Sequence, residues 1–222
     1  MPGGPAIKIC GLTTPETVAA SAKAGASHIG FNFYPPSPRY VSPARAGELA
    51  AQTPAPLAKV GVFVEPDDAL LDEAVSRARL DAIQLHGKEA PSRVRAVARR
   101  LRVPVWKVLS VATRDDVAAA GAYTDVADLI LFDTKTPKGA LPGGMGMGFD
   151  WTLLAAFDKG TAWGLAGGLT PENVAAAIAA TGAPLVDTSS GVETAPGVKD
   201  VDKIAAFCSA VRNARFPLTR SP

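Results

Sequence analysis

Short apolar runs recur along this chain roughly every 20 to 30 residues, and each leads through a glycine-, proline- or polar-marked turn into a segment of helical period. The runs fall near 7–10, 29–33, 59–64, 82–86, 105–109, 129–133, 162–166 and 185–187. Helical segments follow at about 14–24, from 42, at 67–79, 91–101, a short alanine-rich 113–121, from 150, from 170, and at 201–215. Thr14-Pro15-Glu16 and Ser42-Pro43 each place a capping hydroxyl before a proline at the first helical position. Strand, turn and helix repeated eight times predict a closed parallel barrel, the (β/α)₈ fold. The chain's 222 residues lie near the lower end for such a barrel. A doubly wound open sheet is the alternative, and it would bind ligand at one switch point, not around a ring. With no linker and no shift of composition, one domain is expected over 1–222, with a frayed tail after about 215.

The alternation of side chains along a strand sorts the first run into two faces. Ile7 and Ile9 would pack against outer helices, and Lys8 and Cys10 would point inward. A cysteine alone is most simply a small buried hydrophobe. An inward lysine two residues earlier weighs against that here, because a buried ammonium needs a partner or a task.

Net charge is +2, too small to point to nucleic acid. No apolar run is long enough to cross a bilayer, and Met1-Pro2-Gly3-Gly4-Pro5 has no export-signal pattern. Two cysteines make no disulfide framework, which fits a reduced, cytoplasmic setting. The two histidines and two cysteines show no metal-ligand spacing, so no metal is expected. Cys208 shares a helical stripe with Ile204 and Val211 and belongs to the core.

In a barrel of this kind the chemistry gathers at the carboxyl ends of the strands. Those ends carry Cys10, Asn32, His86, Asp133 and Asp187, and the loop after the second strand adds Arg39. Each has a plain structural role open to it. Asp133 could bond a loop amide, His86 could be a core ring and Arg39 a solvated charge. Six polar groups at equivalent places are harder to set aside. Three glycine-rich turns, 143–146, 167–168 and 190–191, could let backbone N–H groups close on an anion. The last two, with Gly167, Gly168, Ser190 and Gly191, follow strands seven and eight, where such barrels often hold phosphate.

Taken together, KICGLT at 8–13, GFNFYPPSPRYV at 30–41, QLHG at 84–87, LFDT at 131–134, LPGGMGMGFDW at 141–151, LAGGLTPENV at 165–174 and DTSSGVE at 187–193 resemble the phosphoribosylanthranilate isomerases of tryptophan biosynthesis. The resemblance implies an Amadori rearrangement of N-(5-phosphoribosyl)anthranilate by general acid and base, with no cofactor. It implies Cys10 as base, Asp133 as acid, Arg39 as clamp for the anthranilate carboxylate, and His86 and Asp187 lining the site. Met145 stands where a small polar residue is common in the family, and Gly148 loosens the same loop. The expected partner is a small phosphorylated aminosugar, with neither nucleic acid nor membrane, and the protein a monomer or homodimer. Another phosphosugar isomerase, epimerase or lyase would share the phosphate turns but would more often carry paired carboxylates or a metal. A barrel that only binds a phosphorylated ligand for regulation would share them too.

The acid role makes a demand. A free aspartic acid is protonated only about one part in a thousand at neutral pH, so an aspartate acid asks its surroundings for ~4 kcal/mol. An apolar strand end could supply part of that by desolvation. The base role asks less, and Lys8 is expected to favour the thiolate of Cys10.

Overall fold

The computed structural model describes residues 4–134, 151–157 and 160–215. The turn at 143–146, Met145, Gly148 and the tail beyond 215 lie outside them. Eight strands, β1 (Ala6–Cys10), β2 (His28–Asn32), β3 (Ala58–Phe63), β4 (Ala82–Leu85), β5 (Val105–Val111), β6 (Leu129–Thr134), β7 (Trp163–Ala166) and β8 (Leu185–Thr188), form a closed barrel in that order. All neighbouring pairs are parallel, and β1 pairs with β8 to close the ring. The helices between them are α1 (Pro15–Lys23), α2 (Pro43–Ala51), α3 (Asp68–Ala78), α4 (Pro91–Leu101), α5 (Arg114–Ala118) and α6 (Val174–Thr181). A small hairpin, β9 (Glu193–Ala195) with β10 (Val198–Lys199), precedes α7 (Val201–Arg212).

Local chemistry accounts for most helix starts. Thr14 Oγ1 accepts from Thr17 N and Ser42 Oγ from Arg45 N, each ahead of a proline. Asp67 caps α3, and Thr113 and Asp116 form a reciprocal capping box that lets even the short α5 begin. Two crossovers differ from the sequence expectation. The segment after β6 is a 3₁₀ turn at Trp151–Ala156, not an α-helix. The segment after β7 turns helical only at Val174, because Asn173 Oδ1 accepts from Thr170 N and its amide donates to Gly168 O. Those bonds shape a polar turn where the first helical turn was expected.

Two apolar layers hold the barrel. Ile7, Ile9, Ile29, Phe31 and Ile83 point outward into a large shell with the helices. Val60, Ala82, Trp106, Val108, Leu131, Ala166 and Leu185 fill the lumen as a separate cluster. Toward the amino ends of the strands, Trp106 meets His28 edge-on at 5.2 Å. Burial and the Lys8 charge push His28 down to about 4, so it serves there as a neutral ring. The lumen above this floor is polar, and that is where the site begins.

Candidate active site

Lys8 sits on β1 directly opposite Asp187 on β8. Its Nζ donates to both carboxylate oxygens, at 3.1 and 3.0 Å, and both residues are buried. The lysine the alternation turned inward therefore has a partner. Burial works against its charge, but Asp187 and Cys10 together raise it above its ordinary value. For Asp187 burial dominates the other way and pushes the carboxyl up, against the attraction of Lys8.

Cys10 lies above this pair at the end of β1, buried and free of any disulfide. Burial pushes its thiol up, and the opposing fields of Lys8 and, more weakly, Lys199 do not make up the difference. Lys8 thus acts in the expected direction, but desolvation outweighs it. The thiolate is a minor form at neutrality and a correspondingly strong base when it forms.

Asp133, at the end of β6, keeps 30 % of its side-chain surface, so its strand end is less dry than the apolar run 129–132 suggested. Its partner is His86, just past β4, with Nε2 3.2 Å from Oδ2. His86 Nδ1 faces Gln84 Nε2 at 3.5 Å. Gln84 itself is buried, and its Oε1 is the one buried side-chain polar atom among the described residues without a hydrogen-bond partner.

Cys10, Gln84, His86, Asp133 and Asp187 share one cleft of about 230 Å³ at the carboxyl ends of the strands, with Asn32, Arg39, Gly167, Gly168, Ser190 and Gly191 also in its wall. The six polar candidates and the two glycine turns after β7 and β8 therefore come together. The room expected at Gly191 is taken, however. A Cβ there would lie 1.9 Å from Leu169 O, so this glycine lets the turns after β7 and β8 press against each other.

Arg39 holds a surprise of a different kind. Its Nε and Nη2 each donate at 2.7 Å to Glu193, a bidentate pair inside the protein. The side chain reaches it by lying over Gly11 (φ 79°), where a Cβ would meet Arg39 Cδ at 2.6 Å. Glu193 is also bound by Lys199 Nζ at 2.6 Å, and Lys199 reaches Ser189 O and Oγ at 3.0 and 3.1 Å. Ser189 Oγ in turn donates to Cys10 O at 3.1 Å. Neither Glu193 nor Lys199 was singled out from sequence, where both look like loop charges on a hairpin. Among the described residues no three His, Cys, Asp or Glu side chains gather as a metal site.

Residues 7–210 match the family model described as N-(5'phosphoribosyl)anthranilate (PRA) isomerase. A curated relative of that name from Paramagnetospirillum magneticum is 52% identical over 210 residues, covering 94% of this chain and 98% of its own. The solved phosphoribosyl anthranilate isomerase of Thermotoga maritima superposes with a TM-score of 0.82 at 39% identity, over 93% of this chain and 98% of its own. A further solved isomerase, in complex with reduced 1-(o-carboxyphenylamino)-1-deoxyribulose 5-phosphate, superposes at 0.80 with 36% identity over 93% and 98%. By the extent of these matches, this chain belongs to the N-(5'-phosphoribosyl)anthranilate isomerase family.

Proposed function

We propose that the chain converts N-(5-phosphoribosyl)anthranilate to 1-(2-carboxyphenylamino)-1-deoxyribulose 5-phosphate, the aldose–ketose step of tryptophan biosynthesis, by proton transfers between Cys10, Asp133 and the sugar. The observation that carries this reading is the single cleft with a thiol at the end of β1 and a carboxyl at the end of β6. The ligand in the related structure is a reduced form of this product.

Asp133 protonates the furanose ring oxygen, and the ring opens to an iminium. Cys10 as thiolate then removes the C2 proton, giving an enolamine that becomes the ketose. His86, hydrogen-bonded to Asp133, is placed to return the proton that the acid gives up. Asp187 does not touch the acid. It anchors Lys8, whose field favours the thiolate of Cys10. The phosphate lies against the turns of Gly167, Gly168, Ser190 and Gly191, and Arg39 holds the anthranilate carboxylate. These proton transfers ask for no metal or organic cofactor. The chain acts as one barrel domain in the cytoplasm, as a monomer or homodimer.

The test is the loss of phosphoribosylanthranilate fluorescence on adding the protein. Cys10→Ser and Asp133→Asn should each lower kcat at least ~10²-fold, with substrate affinity changed far less. Losses in the double variant should be less than additive, since both groups serve one reaction. Binding without turnover by the wild type would mark a regulatory barrel instead, and near-normal turnover by Cys10→Ser would remove the thiol from the mechanism.

A further inference from the structure

A guanidinium presents five N–H donors in a fixed plane. Arg39 spends one on Nε and one on Nη2 to hold Glu193 along one edge. The opposite edge, Nη1 with the second N–H of Nη2, is a second fork of the same width, and Arg39 lines the cleft. A carboxylate can hold this edge only if the other stays fixed, because Arg39 rides on a loop and its stem has several rotatable bonds.

The part that fixes it is unusually well anchored. Glu193 and Lys199 are cross-strand partners in the β9–β10 hairpin, with side chains only 5 and 1 % exposed. By contrast, the Arg45–Glu48 pair on α2 is open to solvent. Burial lowers Lys199's hold on its proton, and Glu193 opposes this by hydrogen bond and charge without making up the difference. Lys199 ties the hairpin down to Ser189, at the start of the turn that carries Ser190 and Gly191. At the other end of the hairpin, the Pro196-Gly197 turn packs against Pro38 O, in the residue before Arg39.

We propose that Glu193, braced by Lys199, is the positioning residue that aims the free edge of Arg39 into the cleft, and so sets selectivity for a substrate that bears a carboxylate on its aromatic ring. Glu193 does not touch substrate. Its carboxylate neutralises one of two neighbouring cations and leaves one net positive charge for the incoming anion. The hairpin also makes the Arg39 loop and the turn after β8 one mechanical unit, so the two anionic ends of a substrate are held at a set separation. This rests on the reading that Arg39 receives the anthranilate carboxylate.

The experiment compares two substrates, phosphoribosylanthranilate and its aniline analogue without the carboxylate, across five proteins: wild type, Arg39→Met, Glu193→Gln, Glu193→Asp and the Arg39→Met/Glu193→Gln double variant. Glu193→Gln should raise KM for the anthranilate about 10-fold or more, with a smaller change in kcat, and should leave the aniline analogue nearly unchanged. The double variant should be no worse than Arg39→Met alone, because Glu193 acts only through Arg39. Glu193→Asp keeps the charge but shortens the reach by one methylene, and should show the same loss in smaller measure. If Arg39→Met weakens both substrates equally, the carboxylate reading itself fails. If Arg39→Met discriminates but Glu193→Gln and Glu193→Asp do not, only the positioning role is overturned. A Glu193→Gln loss equal for both substrates, as general loosening of the fold would give, overturns it too.

Discussion

Two of the buried lysine–carboxylate pairs among the described residues, Lys8–Asp187 and Lys107–Glu89, behave differently. Lys8–Asp187 lies inside the lumen, under the cleft. Lys107–Glu89 lies outside the barrel wall, between β5 and the loop after β4. Both lysines are fully buried and both carboxylates nearly so. The difference is in backbone donors. Glu89 accepts from Glu65 N at 2.8 Å and from Gly87 N at 3.1 and 3.0 Å, besides Lys107 Nζ at 2.7 Å. Burial alone would raise Glu89, but these bonds outweigh it and hold the carboxyl below its ordinary range. Asp187 has Lys8 and, more weakly, the field of His86 against the same desolvation, with no backbone donor to it among the described residues, and its carboxyl goes up. Lys107 also donates to Gly87 O at 2.7 Å and Leu85 O at 3.4 Å. The outer pair is a saturated joint that fixes the loop carrying His86. The inner pair keeps spare capacity and transmits its field to Cys10.

The largest effect that separates the two is on stability. Lys107→Met removes the hydrogen bond that lowers Glu89 most and leaves its carboxyl to its backbone donors in a dry place, and should cost about 3–5 kcal/mol in urea unfolding at neutral pH. Lys8→Met should cost clearly less, because Asp187 is already inclined to take up a proton and shed its charge. Equal losses in the two variants would erase the distinction.

The next effect is on catalysis. Removing Lys8 withdraws the strongest field favouring the thiolate. Lys8→Met should lower kcat at neutral pH by roughly tenfold for each unit the thiol rises further. In the wild type the limb of kcat/KM that rises with pH should have its midpoint above the ordinary thiol value of ~8.5, and Lys8→Met should move it higher. A pH profile that Lys8→Met leaves in place would detach the inner pair from the base.

How much of this was legible in the sequence differs along the same lines. The eight strands showed as apolar runs with turn residues between them, and the parity of 7–10 placed Lys8 and Cys10 inward, since period-2 alternation survives any tertiary context. Cys10, His86, Asp133 and Asp187 stood out because a polar residue ends an apolar run. Glu89, Glu193 and Lys199 did not, because each sits in a loop or hairpin rich in polar residues and meets its partner across 18, 154 or 10 positions of sequence. A loop charge looks solvated until the chain is closed around it. Arg39 was found from its motif, but the internal carboxylate on its first edge carried no local signal. The crowding at Gly191 was equally hidden, because its neighbour Leu169 belongs to the preceding crossover.

The smallest effect is a difference of sign in acid. Glu89 is held below its unfolded value, so the unfolded chain takes up its proton first. Its contribution to stability is present above the ordinary value of 4.5 and is lost as pH falls through the lower folded value. Asp187 is held above its unfolded value of 3.8. Its contribution is fully present below 3.8 and is lost as pH rises through the higher folded value. Denaturant unfolding between pH 7 and 3 checks this. The advantage of wild type over Glu89→Gln should shrink on acidification, and wild type should gain on Asp187→Asn. The same direction for both would mean that the backbone donors around Glu89 do not decide its charge.

The inner pair spans 179 positions of sequence, and so does the hydrogen bond from Ser189 to Cys10. Cys10, the proposed base, and Lys8 are thus laid down with the first strand made, and the carboxylate that anchors Lys8 with the last strand of the barrel. During synthesis the emerging chain carries its thiol for most of translation with Lys8 still without Asp187, and a product that stops before β8 lacks that carboxylate and the turn of Ser190 and Gly191. Contacts this distant form late in folding. Recovery of activity after dilution from denaturant should therefore lag behind recovery of helix, and its half-time clocks the seam between β1 and β8.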